Sequence, residues 1–372
     1  MSFQLLSTDS RTAARRGVLT TAHGAIQTPV FMPVGTSATV KAMSPRELGE
    51  VGSQIILGNT YHLNLRPGMP VMAAAGGLHK FMGWDGPILT DSGGYQVFSL
   101  SKLRKVTPDG VHFQSHIDGS PLFLGPRESM EIQRIIGSDI AMVFDECTPY
   151  PATHDQARKS LELTLRWAEI SRQQPRAPGQ LVFGIVQGGF HQDLRELSAR
   201  ELQRLEFDGY ALGGMSVGEP EAEMFAALDW CAPLLPEPQP RYLMGVGTPL
   251  QIVEAVARGI DMFDCVLPTR VARNGTAYTC DGSLPVKAGR FKDDFRPIDE
   301  TCQCYACRHF SRAYIRHLLN VGEILGARLM TIHNLHFYLA LMRQIRDHLE
   351  AGTFADFRSE FVERYRRTAI RQ

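Results

Sequence analysis

Three cysteines fall within six residues in TCQCYACRHF: Cys302, Cys304 and Cys307. Thiolates that close repel one another unless a soft cation neutralises them, and zinc, which takes four ligands tetrahedrally, suits them. The fourth ligand should be a histidine. His309 follows Cys307 by only two residues and would strain the chelate. His333, in LMTIHNLHF, is favoured because a helix packing against the loop would bring it in; His336 lies one turn on. Three Cys and one His fill the shell, so the expected zinc ion, one per subunit, is structural. The spacing does not match the zinc-deaminase pattern H-x-E…P-C-x-x-C.

A second set of residues is acidic. In GIDMFDCVLPTRVARNG (259–275) an apolar run ends on Asp264, and Arg270 and Arg273 follow among Pro, Thr, Asn and Gly. In ILTDSGGYQVFSL (88–100) a similar run ends on Asp91. Two carboxylates flanking a glycosidic carbon do nucleophilic and acid–base work through an oxocarbenium-like state. Arginines in a glycine-flanked loop would hold the backbone phosphates of a polynucleotide. After Asp91, Gly93 and Gly94 let backbone N–H groups approach a ligand, and Tyr95 offers a flat face beside them. Met244, in YLMGVG, could form the soft opposite wall of a slot suited to a planar base. Asp145 could accept from guanine N1 and N2, while the Gln187 amide and glycine N–H groups donate to O6 and N7. Such a site rejects the wrong polar edge because its own groups would be left unpaired.

These residues need one scaffold. Short apolar, β-branched runs occur at 28–36, 53–60, 86–94, 138–147, 181–189, 208–216, 241–248 and 261–269. Between most of them lie amphipathic stretches, at 44–51, 128–137, 155–173, 192–206, 221–235 and 249–259. Runs too uniform for one-sided strands, alternating with helices, predict a parallel sheet buried on both faces. Eight such units predict an α/β fold closed as a (β/α)8 TIM barrel, with its chemistry at the C-terminal strand ends. Those ends carry Asn59, Asp91, Asp145, Gln187, Gly213, Gly214, Gly245 and Asp264. The stretch VHFQSHIDGSPLFL (111–124) alternates like a hairpin turning at Asp118–Gly119, and 276–286 reads as a second hairpin. Long helices follow from about Ser311. We therefore expect a barrel over 1–275 with an insertion near 111–124, a small zinc-binding inset over 276–335, and C-terminal helices over 336–372.

Composition agrees with a globular chain, at 44% hydrophobic and 21% charged residues. Net charge is zero, so global charge announces no nucleic-acid partner, yet the part from Arg241 onward is net positive, mostly through arginine. The N-terminal MSFQLLSTDSRTAARRG has no signal-like apolar core, and no run of about 18 apolar residues appears, so a cytoplasmic protein without membrane contact is expected. Seven cysteines in a reducing compartment are not a disulfide set; Cys147, Cys231, Cys265 and Cys280 read as ordinary core or loop residues.

Taken together, these stretches resemble the bacterial tRNA-guanine transglycosylases. The likeness runs in order through FMPVGT, ILGNTYHLNLRPG, FMGWDGPILTDSGGYQVFSL, HIDGS, GSDIAMVFDECTPYP, FGIVQGG, FDGYALGGMSVGE, YLMGVG, GIDMFDCVLPTRVARNG, C-x-C-x-x-C and LMTIHN, and covers nearly the whole chain. It implies that Asp264 is the nucleophile at C1′ of a tRNA wobble nucleoside and Asp91 the general acid/base. Tyr95 and Met244 would sandwich the base. Asp145, Gln187 and the backbone at Gly214 and Met215 would read its edges. Thr269, Arg270, Arg273, Gly245 and the neighbouring loop would hold anticodon RNA, and Cys302, Cys304, Cys307 and His333 the zinc. Guanine would be exchanged for 7-aminomethyl-7-deazaguanine (preQ1), with retention and ping-pong binding, in tRNAs for Asp, Asn, His and Tyr. Neither ATP nor a redox cofactor is implied. Cys147 and Val217 match the bacterial pattern for preQ1, and Glu219 could orient the Met215 carbonyl toward the aminomethyl group. GGMSVGE departs from the common GGLAVGE at Met215 and Ser216. The resemblance also implies a homodimer. A catalytically silent partner subunit would lack Asp91 and Asp264. A metal-dependent barrel hydrolase would need strand-end histidines. A plain zinc-stabilised RNA-binding module would explain the arginines but not the acids on the rim.

Overall fold

Each of the eight apolar runs supplies a strand of one parallel sheet in the computed structural model, which describes residues 2–100 and 104–369. The second to eighth barrel strands are Ile56–Gly58, Ile88–Thr90, Ile140–Met142, Leu181–Val186, Gly209–Leu212, Arg241–Leu243 and Met262–Asp264. The first is broken at Pro33 into Val30–Met32 and Val34–Gly35. Val30–Met32 pairs with the eighth strand and Val34–Gly35 with the second. Both edges of the sheet thus belong to one short segment, and the sheet closes as an eight-stranded barrel. Proline lacks the N–H for continuous pairing, but its carbonyl still accepts from Leu57 N at 2.9 Å. Most strand residues are buried on both faces, which is why the runs read as uniformly apolar. Helix starts between them are chemically marked. Ser44, Thr153 and Thr248 cap three helices, while Glu47, Gln156 and Gln251 reach back to complete capping boxes.

One layer is absent from the expectation. Phe3–Thr8, Arg15–Thr21 and Gly24–Thr28 form a separate antiparallel sheet against the N-terminal end of the barrel. Its anchors are buried acids that precede barrel strands. Asp261 takes Arg15 Nη2 at 2.8 Å and the Arg241 N–H at 2.8 Å. Asp139 accepts from the Ile88 N–H at 2.8 Å and faces His23 Nδ1 at 2.8 Å and His79 Nε2 at 3.2 Å. The two imidazoles stack 3.7 Å apart at 16°. Each ring thus turns one nitrogen toward a different oxygen of the same carboxylate. With this end sealed, the opposite rim is left for chemistry.

The insertion is larger than expected. Gly110–Gln114 and Pro121–Leu124 pair as foreseen, but Arg104–Thr107 adds a third strand. The turn is not a two-residue Asp118–Gly119 connection. It spans residues 115–120, because the side chains of Ser115 and Asp118 capture the Ile117 and Ser120 N–H groups and end the ladder. From this turn His116 Nδ1 meets the Tyr61 hydroxyl at 2.8 Å, tying the insertion to the barrel rim.

After the barrel come the hairpin Thr276–Thr279 and Gly282–Pro285, two short helices, and the long helix Ile324–Glu350. The long helix fastens distant parts. Asn334 bonds Tyr278 N, Pro268 O and Thr276 O, and the Tyr338 hydroxyl donates to Gly247 O at 3.1 Å. Arg346 donates to Pro29 O at 2.7 Å, and Glu350 pairs with Arg16 at 2.8 Å. The helix therefore lies across the seam where the first strand meets the eighth. No helix of the described residues is long and apolar enough to cross a membrane.

Candidate functional site

The C-terminal rim gathers three buried carboxylates. Asp264, the last residue of the eighth strand, accepts from the Tyr242 hydroxyl at 2.6 Å and from the Gly245 N–H at 2.7 Å. Both donors act on Oδ1, and Oδ2 takes no donor among the described residues. Burial pushes the Asp264 carboxyl up, while Tyr242 and Gly245 pull it back. Asp91 follows the third strand. Its Oδ1 accepts from Thr60 N at 2.8 Å, and its Oδ2 from Gln96 Nε2 at 2.7 Å and from the Asn59 amide. Burial pushes Asp91 up to about 6, with the nearby Asp264 charge acting in the same direction against the three donors. One acid is fastened on a single oxygen, and the other, raised by burial and by the charge of the first, can hold a proton near neutrality.

The third carboxylate faces an amide. Asp145 accepts from Ser92 Oγ at 2.9 Å and from Gln187 Nε2 at 2.8 Å, and burial raises its pKa. Gln187 Oε1 is buried with no partner among the described residues, so the amide retains an unspent acceptor. Gly214 lies against that oxygen at φ +67°, and a Cβ there would stand 2.5 Å from it. Only glycine fits. Gly94 is similar: a Cβ would meet the Asp145 carbonyl at 2.5 Å. Tyr95 is the next residue, on the helix Gly94–Leu100, and is 53% exposed. Met244, partly exposed, immediately precedes the Gly245 N–H that holds Asp264. Tyr95 and Met244 thus adjoin groups bonded to the acids, Gln96 and Gly245.

The turn after the sixth strand is held by Glu219, which accepts from Ser216 N at 2.6 Å and Val217 N at 2.8 Å. Ser216 N–H and Met215 C=O are opposite ends of one peptide, so fixing the N–H to Glu219 points the carbonyl the other way. Ser216 sits at φ +58°. The Met215 side chain is buried, and Cys147 is a neutral thiol, pushed to about 12 by burial and then by the Asp145 charge.

The arginine stretch differs from its expectation. It is not a loop but a short helix, Leu267–Arg273, with Pro268 in its first turn, where a missing N–H costs nothing. Thr269 is buried, its hydroxyl bonded to Val266 O at 3.2 Å, so it braces the helix instead of facing outward. Arg270 and Arg273 are exposed, and neither has an acidic partner among the described residues. Arg273 Nη1 donates to Thr269 O at 2.8 Å.

The cysteine cluster closes on His333. Its Nδ1 lies 3.7, 3.6 and 3.3 Å from Sγ of Cys302, Cys304 and Cys307. Zinc–ligand bonds of about 2.3 Å to sulfur and 2.0–2.1 Å to nitrogen put tetrahedral neighbours roughly 3.5 Å apart, so the set fits that ion. His333 Nε2 is spent on Tyr278 O at 2.8 Å, which leaves Nδ1 as the ligand atom. His309 and His336 are not in the set. Hydrogen bonds from the neighbouring thiols hold the Cys304 thiol down.

The family described as queuine tRNA-ribosyltransferase matches residues 9–367. The chain belongs to this family. Its relatives include the queuine tRNA-ribosyltransferase of Pelotomaculum thermopropionicum, 57% identical over 98% of this chain and 99% of the relative. Those of Listeria welshimeri and Thermoanaerobacter pseudethanolicus are 57% and 56% identical, over 98% of this chain and 96% and 98% of their own. Within this family member, Tyr242 and Gln96 went unnoticed in the sequence although each bonds a rim aspartate. Tyr242 is inside a buried strand, where a tyrosine reads as core. Gln96 is on the helix beside Tyr95, and an i, i+5 spacing from Asp91 carries no signal until a turn folds it back.

Proposed function

We propose that the chain exchanges guanine at wobble position 34 of U-G-U anticodon tRNAs for preQ1, through a covalent aspartyl–ribosyl intermediate, in queuosine biosynthesis. Asp264 Oδ2 attacks C1′ as the C1′–N9 bond breaks, and the departing guanine takes its electron pair and a proton from Asp91. The ester between Asp264 and C1′ then meets preQ1. Asp91, now ionised, takes the ring N–H proton, the ring nitrogen bonds C1′, and the ester electrons return to Asp264. Two displacements retain configuration. The reading is carried by one observation: two buried aspartates stand at strand ends, the charge of Asp264 raises Asp91, and Asp264 offers an oxygen with no donor among the described residues.

In this reading Tyr95 and Met244 enclose the base. Asp145, Gln187, Gly214 and Met215 read its edge, and Cys147, Val217 and Glu219 set the room for the aminomethyl group. Arg270 and Arg273 hold phosphates of the anticodon stem-loop, with Gly245 beside them and Thr269 bracing their helix. The tRNAs are those for Asp, Asn, His and Tyr, and the chain works as a cytoplasmic homodimer. Cys302, Cys304, Cys307 and His333 hold one zinc ion, which supplies a cross-link between the inset and the long helix; four protein ligands leave it no open position for substrate.

The test is incorporation of labelled guanine into unmodified tRNA, followed by denaturation of enzyme and tRNA without incoming base. The expected result is an RNA adduct on Asp264, abolished with turnover in a folded Asp264→Asn. Normal exchange by that variant, or inversion in a single step without adduct, would overturn the reading.

A further inference from the structure

Arg195 is the one fully buried arginine of the described residues at 0% exposure, and it bonds no carboxylate. It lies in the first turn of the helix Gln192–Gln203, where the helix dipole disfavours a cation. A buried guanidinium cannot shed its proton, so its charge must be accommodated. Its hydrogen-bond partners are mainly backbone carbonyls, and the guanidinium stands over the Phe190 ring, 5.9 Å from its centroid. Nε donates to Gly189 O at 2.7 Å, and Nη1 to Val186 O at 3.0 Å and Gly213 O at 2.8 Å. Among the described residues Nη2 reaches only the Met215 sulfur, at 4.0 Å.

Those carbonyls bracket the residues assigned to base reading. Val186 and Gly189 flank Gln187 at the end of the fifth strand. Gly213 precedes Gly214 and Met215 at the end of the sixth. A Cβ on Gly214 would stand 2.5 Å from Gln187 Oε1 and 3.4 Å from Arg195 Nη2, so guanidinium, amide and turn meet around one point. The helix is also pressed close, since a Cβ on Gly188 would lie 2.8 Å from Arg195 N.

We propose that Arg195 is the positioning residue of the base pocket: by clamping the ends of the fifth and sixth strands it sets the spacing of Gln187 and the Gly214–Met215 turn, and with it the acceptance of a purine edge. This rests on the base-exchange reading. The clamp needs the planar fork, because one ammonium cannot hold three carbonyls on two strands in fixed directions. A misplacement of about 1 Å at a reading group costs up to roughly a hundredfold.

The experiment compares Arg195→Lys and Arg195→Met with the parent enzyme. It measures KM for guanine, KM for tRNA, and the active fraction from the amount of Asp264 adduct at completion. The expected result is a KM for guanine raised about tenfold or more in both variants. KM for tRNA should rise by a clearly smaller factor, because phosphate contacts of exposed arginines that do not touch Arg195 supply most of its binding. A purely structural role would lower the active fraction and leave both KM values alone; that result overturns the clamp. So does a wild-type KM for guanine in Arg195→Lys, which would make charge alone sufficient, and so does a parallel rise in both KM values. If Arg195→Met does not fold, Arg195→Lys carries the test. Absence of exchange and adduct in the parent enzyme would instead defeat the base-exchange reading.

Discussion

Replacing Tyr242 by Phe removes one hydroxyl and almost no volume. In the parent that hydroxyl donates to Asp264 Oδ1 at 2.6 Å, and both groups are buried. A hydrogen bond to a charged acceptor is worth about 1.5–3 kcal/mol. Roughly that much stabilisation of the carboxylate should disappear, with the Gly245 N–H left as the remaining donor to Oδ1 among the described residues. Two effects follow. Tyr242 holds the Asp264 carboxyl down against burial, so its loss raises that group further and the acid limb of kcat/KM moves to higher pH. The carboxylate is also a poorer leaving group, so breakdown of the ester slows by about ten- to a hundredfold at 1.4 kcal/mol per decade. Single-turnover experiments at several pH values separate the two. The adduct formed with tRNA alone should persist longer when preQ1 is added to Tyr242→Phe, and the acid limb should shift. An unshifted limb with a parent-like rate of adduct breakdown would refute the argument that this hydroxyl acts on the reacting carboxylate.

Asp91→Asn should stop exchange yet stabilise the fold at neutral pH. A carboxyl raised to about 6 binds its proton more tightly in the fold than in the unfolded chain, so its contribution is complete below about pH 4 and is lost as pH climbs through about 6. Relief of that loss amounts to at most roughly 3 kcal/mol, read as a higher Tm of the variant at pH 7 but not at pH 4. Cys302→Ser, or a strong chelator, should remove about one zinc per chain and lower Tm, measured by metal analysis and calorimetry; unchanged Tm after metal loss would contradict a structural ion. Arg270→Ala and Arg273→Ala should each raise KM for tRNA and flatten the salt dependence of tRNA binding by about 0.7 in log–log slope, with KM for guanine unchanged. An unaltered slope would remove those residues from the RNA surface.

The barrel was legible because each strand is buried on both sides, so its apolar run is uninterrupted and stops at a glycine or acid on the rim. The N-terminal sheet was not, because Arg15 and Arg16 make its second strand look like surface. Their burial depends on Asp261 and Glu350, acids far along the chain that no local window contains. The helix Leu267–Arg273 read as loop for a related reason: Pro268 and Gly275 mark turns in sequence, yet one sits in the helix's first turn and the other lies just beyond its end. At the site, residue types forecast that the acids and the amide would meet on the rim and that three cysteines would close on His333. The supporting shell of Tyr242, Gln96 and Arg195 has no such signature, because its members act through strand ends that meet only in three dimensions.

The long helix Ile324–Glu350 has a consequence for biosynthesis. The ribosome makes all eight strands before it makes the residues that reach across the seam to Pro29, Arg16, Gly247 and Pro268. A growing chain therefore exposes an unlatched cylinder until its final quarter emerges. A premature stop codon anywhere before that point should yield a product for the cell's proteases rather than a weakened enzyme.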